Sequence, residues 1–335
     1  MSLTRRFGLL FAAVGLLAAV VPSTTRAAHP RSPEMVELAS FGSGLGSGST
    51  IGPDGALYVT DGNAGSVVRI DRRSGDVTTF ATGLPTQVLG IGGAMDVAFV
   101  GRTAYVLVTM VGGDIVDGPH IGDDTVGIYR IERDGTFTVF ADIGAWSEAH
   151  PPTTDFFITT GVQYAIEPYR GGFLVTDGHH NRVLRVDRHG TVSSVAVFGN
   201  TVPTGLEVIG GRVFFTQAGP VPHVPENGKV FALQPRSGMA TELANGASML
   251  IDVERGAGGK LYALSQGQWD GVMEGSPALP DTGRLVVVGR DGSLTPIADV
   301  AGAELVLDRP TSMEIVGNSA YVVSVVGDVV RIDGI

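Results

Sequence analysis

Val68-Arg69-Ile70-Asp71-Arg72-Arg73-Ser74-Gly75, followed by Val77-Thr78-Thr79-Phe80-Ala81, reads as two alternating strands joined by a polar turn that ends in glycine. Glycine supplies the positive φ that such a turn needs. The same hairpin returns as Tyr129-Arg130-Ile131-Glu132-Arg133-Asp134-Gly135 with Phe137-Thr138-Val139-Phe140-Ala141. A third copy runs from Leu184-Arg185-Val186-Asp187-Arg188-His189-Gly190 to Val195-Ala196. Two more pass through Pro235-Arg236-Ser237-Gly238 to Leu243-Ala244, and through Gly289-Arg290-Asp291-Gly292 to Ile297-Ala298. Repetition of this kind marks an array of similar supersecondary units.

A second unit precedes each hairpin. It is an apolar strand, a glycine turn, and a strand with a bulky residue at its centre. Its copies are Leu57-Tyr58-Val59, Ala104-Tyr105-Val106, Phe173-Leu174-Val175, Val213-Phe214-Phe215, Leu261-Tyr262-Ala263 and Ala320-Tyr321-Val322. The inner strands also echo one another: Pro203-Thr204-Gly205-Leu206-Glu207-Val208 matches Pro310-Thr311-Ser312-Met313-Glu314-Ile315. Four antiparallel strands recurring every 40 to 70 residues or so make an all-β, six-bladed β-propeller. The last copy stops at Arg331-Ile332-Asp333-Gly334-Ile335 after its third strand, while Met35-Val36-Glu37-Leu38-Ala39 resembles the fourth strand Met239 to Ala244. The N-terminal strand is therefore expected to complete the C-terminal blade, which removes an open sheet edge. Asp142 to Thr160 is the one stretch long enough to hide a seventh blade, and it lacks the repeat.

Forty-nine of the 335 residues are glycine, which suits many tight turns between short strands. The net charge of −11 argues against a nucleic-acid groove, which needs clustered Lys and Arg. There is no cysteine, so disulfides, thiolate metal sites and a cysteine nucleophile are excluded. Arg5 and Arg6, the apolar run Phe7 to Val21, Pro22 and the small residues Thr25 and Ala27 read as a secretory signal peptide over 1–27. A mature propeller over 28–335, secreted or periplasmic, is expected, with its N-terminus at or next to Ala28. No later apolar stretch is long and unbroken enough to span a bilayer. No P-loop, Gly-x-Gly-x-x-Gly element, zinc-protease motif or Ser-His-Asp spacing is present.

Leu57-Tyr58-Val59-Thr60-Asp61-Gly62-Asn63 with Val67 to Asp71, and Phe173-Leu174-Val175-Thr176-Asp177-Gly178-His179-His180-Asn181-Arg182, resemble NHL-type propeller repeats. With its leader and the Gly-Ser-rich opening Gly42 to Ser49, the whole chain most resembles the ScyD/ScyE family of exported propellers. That resemblance implies an architecture and no reaction. Gluconolactonase-like propellers share it, and they hold calcium in the central channel with a glutamate near the first inner strand. Here that strand reads Gly46-Ser47-Gly48-Ser49-Thr50-Ile51 and carries no acid. Virginiamycin-B-lyase-like propellers use a histidine and a metal on one face.

In a propeller the loops between second and third strands and those between blades emerge on one face. The four long excursions, Gly112 to Thr125, Asp142 to Thr160, Ala218 to Gly228 and Gln266 to Gly283, all fall there. Long loops on a rigid repeat scaffold commonly carry function. Five of the seven histidines lie on this face: His120, His150, His179, His180 and His223. Trp146, Trp269, Asp270 and Asn181 lie there too, while Glu207 and Glu314 face the channel as ligands or as acids paired across it. His120, His179, His180 and His223 form a candidate zinc site, and the interleaved carboxylates could suit calcium. Two functions follow as expectations. One is a binding or scaffold module for a small molecule, glycan or extracytoplasmic protein. The other is a metal-assisted lyase or lactonase-like hydrolase.

Overall fold

The computed structural model describes residues 32–41 and 46–335. The expected leader over 1–27 and the start of the mature chain lie outside the described residues. Six four-stranded antiparallel sheets form the blades. Blade one runs Gly46–Ile51, Leu57–Asp61, Ser66–Ile70 and Val77–Ala81, and blade two runs Gly93–Val100, Thr103–Thr109, Gly127–Ile131 and Phe137–Asp142. Blade three is Gln163–Tyr169, Gly172–Asp177, Arg182–Val186 and Val192–Val197. Blade four is Pro203–Ile209, Arg212–Gln217, Lys229–Gln234 and Met239–Asn245, and blade five is Leu250–Arg255, Leu261–Ser265, Arg284–Val288 and Leu294–Pro296. Blade six takes Pro310–Val316, Ser319–Ser324 and Asp328–Asp333 from the C-terminus and Glu34–Ser40 from the N-terminus.

The core sits between blades. Six clusters of buried apolar side chains each bridge two neighbouring sheets; Val67, Ala94 and Val106 join blades one and two, and Leu57, Ile70 and Val329 join blades six and one. A blade cannot bury both of its faces alone, so the stacked ring is the folding unit.

The inner strands are also fastened to one another around the channel. The Thr60 hydroxyl donates to the Met95 carbonyl at 3.0 Å, and Asp96 Oδ2 accepts from the Ile166 amide at 2.8 Å. Thr176 donates to Thr204 O, and Thr204 donates to Leu250 O at 2.7 Å. Asp252 Oδ2 accepts from Met313 N at 2.7 Å, and the Ser312 and Ser49 hydroxyls close the circle at 2.9 Å. Every blade boundary is crossed by a buried or half-buried hydrogen bond. A register shift near the start of each inner strand frees the backbone groups these side chains reach.

The expected closure is present: Glu34 to Ser40 pairs antiparallel with Asp328 to Asp333, with Met35 opposite Ile332. Most of this strand is exposed and only Ala39 is buried, so it contributes ladder hydrogen bonds more than apolar area. Such bonds are worth about 1 kcal/mol each. Deleting 34–40 is expected to lower the melting temperature by several degrees and to expose an edge that self-associates. A monomer melting at the wild-type temperature would show that the closing strand is dispensable. The stretch between blades two and three holds no blade. It contains the short helix Ile143–Ala149, whose N-cap Asp142 accepts from Ala145 N at 2.8 Å.

Candidate functional site

Two places collect chemistry-bearing side chains. The first is the channel. Glu167, Glu207, Glu254 and Glu314 occupy equivalent positions on the inner strands of blades three to six, opposite Leu174, Phe214, Tyr262 and Tyr321. Asp96 and Asp252 lie nearby on the inner strands of blades two and five, so six acids face one axis. Burial is the main cause that pushes their carboxyl groups up, Asp252 to about 7; nearby acids add to it at all but Glu207, while backbone amides oppose it at Asp96, Glu207 and Asp252. The cavity lined by Asp96, Glu167, Asp252, Glu254 and Glu314 holds about 30 Å³, room for a water molecule or two. Glu207 and Glu314, expected as channel-lining ligands or as acids paired across the channel, are thus two members of a larger set of acids on the inner strands. Glu167 and Glu254 stand at the same register and were legible in the repeat. Asp96 and Asp252 serve the inter-blade belt.

The second place lies on the loop-bearing face. Five segments converge on a cavity of about 330 Å³: Asp155 to Phe157, Gly178 to Asn181, Asn200 to Val202, Pro220 to His223, and Glu274 with Gly275. They come from blades three, four and five and the connections before and after blade three. The blade-five loop lies across this face. Its Glu274 Oε1 is 3.7 Å from His179 Nδ1, while the position of a Cβ on Gly275 would lie 3.4 Å from Ile91 in the connection between blades one and two. Trp269 shapes that loop by donating Nε1–H to Met273 O and Ser276 Oγ, both at 3.2 Å, and Asp270 accepts from Val272 N and Ser276 Oγ. Both residues therefore position the loop.

His179, with its side chain 6 % exposed, accepts the amides of Phe157 and Ile158 on Nε2 at 2.9 and 3.0 Å. With Nε2 accepting these two amides, the ring turns its Nδ1 side toward Glu274. The Glu274 carboxyl is held below its usual range chiefly by His179. His223 is buried, its Nδ1 lies 3.4 Å from Ala218 O, and its Nε2 makes no hydrogen bond among the described residues. Asn181 Oδ1 accepts from Thr201 N at 2.8 Å and Val202 N at 2.9 Å, which pins the cavity wall. Asn181, Val202 and His223 all have left-handed backbone, φ 53°, 58° and 53°. For valine this is a strained geometry, and such strain concentrates at functional sites.

The expected metal centre is not assembled. Among the described residues no three His, Cys, Asp or Glu side chains stand where they could hold a metal ion, in the cavity or in the channel. His120 lies exposed on a loop hairpin, between Asp114 at 2.8 Å and Asp123 at 3.2 Å, and these contacts push its pKa up. His180 is fully buried, with Nε2 2.9 Å from Ile158 O and Nδ1 2.7 Å from Arg182. Both of its nitrogens are spent. His150 and Trp146 stack at 4.4 Å, and Arg182 lies 4.9 Å over the Trp146 ring. These residues anchor the helix and do not line the cavity.

A larger hollow of about 550 Å³ opens on the opposite face between blades three and four. Its polar lining, Arg170, Arg212, Gln234 and Arg236, is exposed, so solvent already satisfies those groups. The loop-face cavity differs in having two largely buried imidazoles, those of His179 and His223, in its wall.

No family model matches this chain, and no curated protein matches it. Solved structures do. Virginiamycin B lyase from Staphylococcus aureus is 12 % identical, with 90 % of this chain and 99 % of that chain covered at a TM-score of 0.52. A catalytically inactive variant of that lyase, with quinupristin, is 15 % identical over 90 % of this chain and 99 % of that chain, at 0.54. A gluconolactonase from Xanthomonas campestris is 12 % identical over 90 % of this chain and 89 % of that one, at 0.59. At such identities the likeness is one of fold: the chain is a six-bladed β-propeller of the architecture that these lyase and lactonase structures share.

Proposed function

We propose that this is an exported, ScyD/ScyE-type propeller that binds a small molecule outside the cytoplasm in the cavity bounded by His179, His223 and Glu274. The carrying observation is the buried His223 ring with an unpaired Nε2 beside a cavity of about 330 Å³, which is ligand-sized. The ring of blades holds the five wall segments in fixed relation, as a binding site requires. The leader supports the location, since the repeat architecture has no other use for an apolar segment of that kind.

A thermal-shift screen of the mature protein against a small-molecule library tests this. A ligand at a hundredfold excess over its Kd adds about 2.7 kcal/mol, worth roughly 5 °C in a domain of this size. Asn200→Trp, which fills the cavity from an exposed wall position, is expected to abolish the shift. A shift that survives Asn200→Trp and His223→Ala would place binding elsewhere.

A further inference from the structure

We propose that the cavity takes a small organic cation, an amine or guanidinium on an aromatic or alkyl body; this rests on the binding role just given to the cavity. Its wall contains the carboxylates of Asp155 and Glu274 and no Lys or Arg. Two imidazoles, His179 and His223, stand near enough to act on Glu274; His179 Nε2 is occupied by two backbone donors, which leaves its Nδ1 side toward the carboxylate. Glu274 thus presents a carboxylate, 53 % exposed, to a cavity walled by two acids and no Lys or Arg. His223 Nε2 adds a ring nitrogen that can serve a second polar atom of the same headgroup.

The remaining wall mixes the amide side chains of Asn181 and Asn200 with apolar surface. Phe157 stands edge-on to His179 at 4.3 Å, with 40 % of its surface exposed, and Val202, Pro220 and Val221 add to the apolar part. A cation held between a carboxylate and an aromatic ring gains from both. Anions meet two carboxylates without a fixed positive charge to offset them. The chain's net charge of −11 acts in the same direction at longer range, concentrating cations near the surface.

The test uses phenethylamine, phenethyl alcohol and phenylacetate as cationic, neutral and anionic probes of one shape. Binding is read by calorimetry and by fluorescence of Trp269, whose ring lies 5.9 Å from His223. Phenethylamine is expected to bind tightest. Glu274→Gln is expected to weaken it by about tenfold or more, while changing phenethyl alcohol by less than about twofold. Phenylacetate binding as tightly as the amine overturns the proposal, as does an amine affinity indifferent to Glu274→Gln. If binding in those cases is still lost in Asn200→Trp, the cavity remains the binding site and only the ligand class is wrong. Failure of all three probes to bind overturns the ligand class, and the library screen then judges the cavity independently.

Discussion

Arg182→Ala is expected to destabilise the protein by about 3–5 kcal/mol, because it strips one partner from a buried ion pair. Arg182 is 3 % exposed, and its guanidinium reaches Asp177 Oδ2 at 2.9 Å, Ser147 Oγ at 2.9 Å, His150 O at 2.7 Å and His180 Nδ1 at 2.7 Å. One side chain thereby ties the helix between blades two and three to the start of the third strand of blade three. Burial pushes the Asp177 carboxyl up, and His180 and Arg182 outweigh it and hold it below its usual range. Without Arg182 that charge stays buried and His180 loses its donor. Arg182→Lys is expected to rescue little, since an ammonium cannot fork to four acceptors. Urea unfolding measures the loss; a change below about 1 kcal/mol for Arg182→Ala would mean the network is solvated in solution. Asp, His and Ser meet here, but Ser147 is fully buried and His180 Nε2 faces a carbonyl, so this is a fastening and not a nucleophile site.

The channel should behave in the opposite way: Glu254→Gln with Glu314→Gln is expected to raise the melting temperature by several degrees at pH 8. Both carboxyls are pushed up by burial and then by their neighbours, and among the described residues neither makes a hydrogen bond that it would lose. The groups that face them are Asp96, Glu167, Glu207 and Asp252, with Tyr164 beside these acids and Arg255 close to Glu207. The folded state keeps protons that the unfolded chain has released. Stability therefore falls as pH rises from about 4, where unfolded carboxyls ionise, through about 7, where Asp252 ionises in the fold. At pH 4 the double variant should melt close to wild type, because the unfolded chain too keeps most of its glutamate protons there. In a domain of this size each kcal/mol is worth about 2 °C. A wild type whose stability rises between pH 5 and pH 8, or a double variant that melts lower at pH 8, would mean that the channel carboxylates are compensated.

The blades were legible because each repeats the same alternation and turn chemistry. The closing strand was legible because Met35 to Ala39 resembles Met239 to Ala244. The face carrying the long loops followed from strand count alone. What escaped were contacts between blades. Asp96 meets Ile166 and Asp252 meets Met313 across 70 and 61 residues, and no local pattern records such a pair. The helix Ile143–Ala149 is too short to show a period. His180 and Asn181 look like ligands in sequence because the carbonyls and amides that occupy them lie on other segments. Glu274 carries no motif; only the path of its loop brings it to His179.

The most direct measurement of the central claim is a co-crystal structure of the mature protein with a ligand from the thermal-shift screen. The account predicts the ligand between His179, His223 and Glu274, with its polar group at His223 Nε2. A ligand seated instead among Arg170, Arg212 and Arg236, with the loop-face cavity filled only by solvent, would contradict it.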